Sequence, residues 1–203
     1  MVQEHLAQHI IALYQKHACE WIERRGKVLS EKVWLDRFLG LLPNSAHILD
    51  LGCGSAQPIA AYFIAQGYQV TGVDASEHMI ETARQSFPKH VWLQQDFREY
   101  LPEQKFQGIV AWDSFFHLTQ DDQRNMFKRF AEYAQSGTVL MFSSGPAQGE
   151  AIGELGGEPL YHASLSAEEY QTLLQDNGFK LIKMMADDIE CTGHTIWLAQ
   201  YLE

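Results

Sequence analysis

The stretch His47-Ile48-Leu49-Asp50-Leu51-Gly52-Cys53-Gly54-Ser55-Ala56, continued by Val70-Thr71-Gly72-Val73-Asp74, decides the fold. An apolar run of strand length enters a tight glycine turn, a helix-like segment follows, and a second apolar run ends on an acid. Glycines at 52 and 54 let the backbone turn sharply from a buried strand into a helix and approach a ligand with no Cβ in the way. Asp74 comes 22 residues after Gly52, at the tip of the second strand, placed to accept hydrogen bonds from both hydroxyls of a ribose. A dinucleotide would satisfy these features equally well. Asp50 separates the candidates, because a carboxylate just before the turn repels a pyrophosphate and favours positive charge. Gln57 also stands where the third glycine of G-x-G-x-x-G would be. Both features favour a nucleoside ligand with a cationic centre and no phosphate.

Working outward, the chain alternates its periods. Helices are predicted over 3–24 and 31–42, the second closed by Pro43-Asn44. Strand 46–51 leads to helix 58–66, ended by Gly67, and strand 69–74 leads to a helix capped by Ser76. Strands 91–95 and 107–112 follow, then a capping box of Thr119 and Asp122 for helix 120–134, then strand 137–143. Such alternation means a parallel sheet covered on both faces, with ligands at the strands' carboxyl ends. A second capping box, Ser166 with Glu169, opens a helix ending at Asn177-Gly178. The strand-like runs 179–185 and 194–201 then follow with no helix between, which predicts an antiparallel hairpin. Residues 145–164, with glycines at 145, 149, 153, 156 and 157, read as a long loop shaping a substrate pocket.

Asp50-Leu51-Gly52-Cys53-Gly54 with Gly72-Val73-Asp74 resembles the glycine-rich motif and ribose-binding acid of class I S-adenosylmethionine-dependent methyltransferases. Gln95-Asp96-Phe97 resembles that family's adenine-contacting element, and Ala111-Trp112-Asp113-Ser114-Phe115-Phe116-His117 its segment leaving the fourth strand beside the methyl group. The resemblance covers roughly residues 45–145 in order. It implies one α/β domain over 1–203, a Rossmann-like, doubly wound, mostly parallel seven-stranded sheet with an antiparallel C-terminal hairpin. Within it, 1–44 is an N-terminal helical lid, 45–145 the cofactor core, and 146–203 the substrate loop, helix and terminal hairpin. The implied cofactor is S-adenosyl-L-methionine, the product S-adenosyl-L-homocysteine, and the function methyl transfer to a small-molecule acceptor. The implied cofactor-binding residues are Tyr14, Trp21, Arg25, Asp50, Gly52, Cys53, Gly54, Asp74, Ala75, Met79, Asp96, Phe97, Trp112, Asp113 and Phe116. Tyr14, Trp21 and Arg25 fall on one helical face, from which an aromatic or Arg of the lid reaches the methionine carboxylate. The other reading of Trp21 is plain packing of that helix on the body.

Methyl transfer by in-line displacement needs a positioned, desolvated nucleophile and no metal or covalent intermediate. A base matters only when the acceptor arrives protonated, whereas a carboxylate acceptor needs an Arg to hold it, for which Arg24 and Arg25 are candidates. The candidate catalytic residues are His117 and Asp113; His117 otherwise caps the following helix, and Asp113 otherwise only turns the chain. Tyr161 and His162 either close over substrate or form a surface pair. His194 reads as a structural histidine, and Trp112 either flanks the adenosyl group or fills the core. A non-catalytic S-adenosylmethionine-binding protein remains an alternative. An NAD-dependent oxidoreductase is opposed by Asp50, the missing glycine and the terminal hairpin.

A chain of 203 residues, 46% hydrophobic, suffices for one domain with a sizeable core. Its formal charge of −11 argues against a nucleic-acid partner, and six of its 15 basic residues lie in the first 40 positions (Lys16, Arg24, Arg25, Lys27, Lys32, Arg37). Cys19, Cys53 and Cys191 suggest neither a disulfide framework nor a zinc site. With no apolar segment of spanning length, no membrane partner and a cytoplasmic location are expected.

Overall fold

The computed structural model describes residues 2–203. Three helices precede the sheet: α1 (Val2–Lys16), α2 (Ala18–Arg25) and α3 (Lys32–Leu39). The single helix expected over 3–24 is therefore broken, at His17, whose φ of −105° and ψ of 18° leave the helical region. The break aims the His17 ring at the Glu158 carboxylate, 2.6 Å away and 141 positions along the chain.

The alternation then runs as the periods predict: β1 (His47–Leu51), α4 (Ile59–Ala65), β2 (Gln69–Asp74), α5 (Glu77–Ser86), β3 (Val91–Gln94), β4 (Phe106–Ala111), α6 (Gln120–Tyr133) and β5 (Ala134–Ser144). These five strands pair in parallel. Three further elements, α7 (Ala167–Asp176), β8 (Phe179–Asp188) and β9 (His194–Tyr201), complete the main layer. The sheet order is β3-β2-β1-β4-β5-β9-β8, with β9 antiparallel to both neighbours and the one reversed strand of seven.

Residues 145–164 differ from the expected loop. They hold a separate two-stranded hairpin, β6 (Gly149–Leu155) and β7 (Glu158–Ser164). Gly156 and Gly157 turn it at φ +58° and +80°, the paired left-handed conformation of a tight hairpin turn. Leu155 and Leu160 pack with Leu13 of α1, joined by Ile10, Tyr14 and Trp21, so the hairpin and the first two helices share a small core.

The capping boxes form only by half. Thr119 Oγ1 accepts the Asp122 N–H at 3.1 Å and Ser166 Oγ that of Glu169 at 3.1 Å. The acids do not fold back: Asp122 takes Arg98 (2.9 Å) and Glu169 takes Arg124 (2.6 Å), because a guanidinium is a stronger donor than a backbone N–H.

Each face of the sheet buries its own core. Trp34, Leu35 and Phe38 of α3 pack with Phe63 and Ile80 on one face. The other holds an aromatic cluster in which Phe115 meets Phe127, Phe130 and Phe142 with centroids 5.1–5.9 Å apart. Phe115 is fully buried two residues past Asp113, so its ring anchors the segment leaving β4. Phe115→Ala is expected to cost about 3–5 kcal/mol by urea denaturation, the range for deleting a buried aromatic ring.

Candidate active site

The carboxyl ends of β1, β2 and β4 open into a cleft of about 1180 Å³, at the position where doubly wound sheets bind ligands. Its geometry begins at Gly52, which has φ +74° and donates its N–H to Val73 O at 2.8 Å. A Cβ there would stand 2.2 Å from Ser114 Cβ. Ser114 Oγ in turn donates to Leu51 O at 2.6 Å, which seals the turn after β1 against the turn after β4. Asp74 accepts the Gly54 N–H on Oδ2 (2.9 Å) and the Ser76 N–H on Oδ1 (2.8 Å). It braces the glycine turn, while each oxygen keeps a lone pair for a ligand hydroxyl. Burial raises its pKa and the two N–H groups pull it back.

Asp50 is only 3% exposed and lines the cleft. Burial, then the charge of Asp74, pushes its pKa up to about 7, with no hydrogen bond opposing the rise. A buried carboxylate without a donor favours either a proton or a cationic ligand.

The cleft gathers Tyr14, Trp21, Arg25, Asp50, Gly52, Cys53, Gly54, Asp74, Ala75, Met79, Asp96, Phe97, Trp112, Asp113 and His117 along one wall system. Phe116 lies outside that lining; its ring packs on His162 with centroids 5.2 Å apart. The sequence reading missed Ile10, Ile11, Ser76, Ser114, Arg98 and Asp122, which also line it. Ile10 was findable, four residues before Tyr14 and so on the same helical face; Arg98 and Asp122 carry no local signal.

Both arginines of the lining are matched. Arg25 pairs with the buried Glu31 and donates to Val28 O at 3.1 Å. Arg98 spans Asp96 through Nε and Nη2 (3.0 and 2.6 Å) and reaches Asp122 at 2.9 Å. The Asp96 hydrogen bond is the main cause of a raised Arg98 pKa. Arg24 sits over Trp21, 5.0 Å from its ring centroid.

His117 is buried, with Nδ1 2.9 Å from Tyr161 O and Nε2 2.9 Å from the Tyr14 hydroxyl. A carbonyl only accepts, so Nδ1 carries the proton and Nε2 accepts from Tyr14. Burial holds the ring neutral by lowering its pKa to about 4. Burial, reinforced by Asp113, pushes the Tyr14 hydroxyl up, which keeps it a donor. Tyr161 is buried, its hydroxyl on Glu150 at 2.6 Å, and is no surface residue. Asp113 turns the chain at φ +50° with Oδ1 2.7 Å from His194 Nε2.

A parallel sheet with one reversed strand, a glycine turn and an acid at each of the first two strand ends defines a doubly wound, Rossmann-like α/β domain. Residues 48–137 match the model of a family described as a methyltransferase domain. That match covers a little under half of the chain. An O-methyltransferase of Pyrenophora dematioidea is 25% identical over 170 residues, covering 77% of this chain and 63% of the relative. A protein named putative methyltransferase YqeM from Bacillus subtilis is 32% identical over 115 residues, covering 54% of this chain and 46% of the relative. The chain thus spans less than two thirds of the length of these relatives. A crystal structure of an S-adenosylmethionine-dependent methyltransferase from Clostridium acetobutylicum superposes with a TM-score of 0.71 at 14% identity, covering 93% of this chain and 98% of that one, and shares the fold. Among the described residues no helix is long and apolar enough to cross a membrane.

Because the Asp50 pKa is higher folded than unfolded, the native protein holds a proton that the unfolded chain has lost between about pH 4 and 7, and stability falls as pH rises through that window. Asp50→Asn is therefore expected to melt higher than the parent above pH 7, by about 1–3 kcal/mol of stability. The gain should vanish below about pH 4, as thermal denaturation across that range will show.

Proposed function

We propose that this chain transfers a methyl group from S-adenosyl-L-methionine to a small-molecule acceptor and releases S-adenosyl-L-homocysteine. The observation that carries the reading is Asp50: a buried carboxylate with no donor among the described residues, in the cleft beside the glycine turn. It fits the ammonium of a ligand that brings positive charge and no phosphate. Asp74 fits the ribose hydroxyls, and the backbone at 52–54 lets the ligand approach closely. Met79, Phe97 and Trp21 offer apolar faces for adenine. When bound, S-adenosylmethionine supplies an electrophilic methyl on a sulfonium sulfur, which leaves as a neutral thioether as the acceptor's lone pair bonds that carbon. The protein's part is to hold the acceptor close, exclude water and manage its proton. The first two helices form the helical lid over the cofactor in this reading, while residues 145–164, expected to shape the pocket, contribute none of the cleft's lining side chains because their hairpin packs on α1 instead.

The net charge of −11 disfavours a nucleic-acid acceptor, and the name O-methyltransferase on the Pyrenophora relative supports a small one. Three free thiols fit the reducing cytoplasm.

Calorimetric titration with S-adenosylmethionine, S-adenosylhomocysteine and NAD tests the reading. Micromolar binding of the first two and none of NAD is expected, with Asp74→Ala weakening both at least about tenfold, as loss of two hydrogen bonds to a charged group requires. Binding of NAD alone would overturn it, and formation of S-adenosylhomocysteine on addition of an acceptor separates transfer from mere binding.

A further inference from the structure

We propose that Asp113 takes the proton of the acceptor's nucleophile, that His194 is the positioning residue holding Asp113 for that role, and that the acceptor presents a hydroxyl or an amine and not a carboxylate. The proposal rests on the methyltransferase reading and names the acceptor chemistry of the same site.

Asp113 is held by three elements. Its φ of +50° is uncommon for a residue with a Cβ and persists only where the surroundings impose it. Here the Asp113 N–H donates to Ser143 Oγ of β5 at 2.9 Å, and Phe115 anchors the chain two residues on. The carboxylate lines the cleft; Oδ1 is pinned by His194 Nε2 at 2.7 Å, which leaves Oδ2 for a ligand. His194 is fixed in turn by Nδ1, 2.7 Å from Cys191 O and 2.9 Å from Thr192 Oγ1, and by its ring over Trp112, centroids 5.3 Å apart. A carbonyl accepts only and a carboxylate accepts only, so both His194 nitrogens donate and the ring is an imidazolium. Burial works against that charge, but the Asp113 hydrogen bond and charge, with the Cys191 carbonyl and Glu31, outweigh it and raise the pKa.

The other candidates are engaged. Tyr14, His117 and His162 face Asp113 from α1, from the turn after β4 and from β7, and Cys191 from the turn before β9. Both His117 nitrogens are occupied, and burial lowers the pKa of His162. An acceptor carboxylate would meet an unfavourable field. Arg25 is matched by Glu31, Arg98 by Asp96 and Asp122, and the His194 charge by Asp113. It would instead lie against the Asp113 carboxylate, an unfavourable like-charge contact at a partly buried group. A hydroxyl or amine donates to Oδ2. As the acceptor's lone pair forms its bond to the methyl carbon, the electrons of its O–H or N–H bond stay on the heteroatom and the proton passes to Asp113 Oδ2. The carboxylate becomes a carboxyl while the His194 imidazolium keeps its proton.

The test uses protein saturated with S-adenosylhomocysteine and follows the His194 ring carbon–proton signal by NMR against pH. The midpoint is expected above the ordinary 6.5 and is expected to drop by about one pH unit or more in Asp113→Asn, the effect of removing a close charge. Phenol, benzylamine and benzoate, which share a ring and differ in head group, are then titrated in. Phenol or benzylamine is expected to shift the His194 signal, benzoate not, and Asp113→Asn to abolish the response. In His194→Gln, which has no ring signal to follow, calorimetry is expected to find S-adenosylhomocysteine affinity within about threefold of the parent and phenol or benzylamine affinity about tenfold weaker, the effect of losing one good contact. An unchanged midpoint in Asp113→Asn overturns the pairing. A benzoate response equal to the others, or no response to any probe, overturns the acceptor class. Failure of S-adenosylhomocysteine to bind the parent protein sinks the methyltransferase reading itself.

Discussion

The turn after β1 touches the turn after β4, and the site depends on that contact. Where Gly52 faces Ser114, a side chain at position 52 would occupy the space of the Ser114 Cβ, 2.2 Å away. Two neighbouring parallel strands can bring their exit turns so close only if one of them lacks a Cβ. Once they meet, Ser114 Oγ bonds the Leu51 carbonyl, and Asp50 and Asp113 stand on opposite sides of one seam. Asp74 then draws in the third exit turn through the Gly54 and Ser76 N–H groups. The acids of the cleft therefore stand on backbone that is hydrogen-bonded to itself, which preorganises them before a ligand arrives.

The cleft divides its charges by how they are answered. Asp96 and Asp122 share the one charge of Arg98, and Arg25 is matched by Glu31. Asp74 is answered by dipoles, Asp113 by a histidine, and Asp50 by nothing among the described residues. Burying a carboxylate without a donor costs stability, and that cost is removed only by a cation or a proton. Asp50 thus gives up folding free energy, and in the function proposed above the return is selectivity toward a positively charged ligand, a trade common where function requires a strained or desolvated group.

Much of this was legible in the residues. The alternation of periods indicated the parallel sheet, and the two C-terminal runs without an intervening helix indicated the reversed strand. The acids at 50 and 74 and the glycines at 52 and 54 sit in the cleft because strand ends and tight turns are local features with local signatures. What escaped is long-range. The break at His17 has its cause in Glu158, far along the chain, and periodicity runs on through it because α1 and α2 bury adjoining faces. The β6–β7 hairpin escaped because β6 is exposed along nearly its whole length and shows no in-out alternation; only Gly156-Gly157 hinted at it. His194 looked structural, and its partner Asp113 lies 81 positions earlier, a distance no motif spans. Arg25 looked free to hold a carboxylate until Glu31 was seen beside it.

The seating of α1 carries a consequence for how the chain is made. Besides the Ser76 hydroxyl on Gln15, its anchors are Tyr14 on His117, Lys16 and the neighbouring His17 on Glu158, and Leu13 against Leu155 and Leu160. All of these partners but Ser76 are synthesised more than 100 residues later, so the helix must wait for most of its binding surface. Contacts of such sequence separation close late, after the local strand–helix units have formed. Until then the apolar stripe of α1 is unprotected, and a nascent chain stalled before residue 155 would expose it to chaperones.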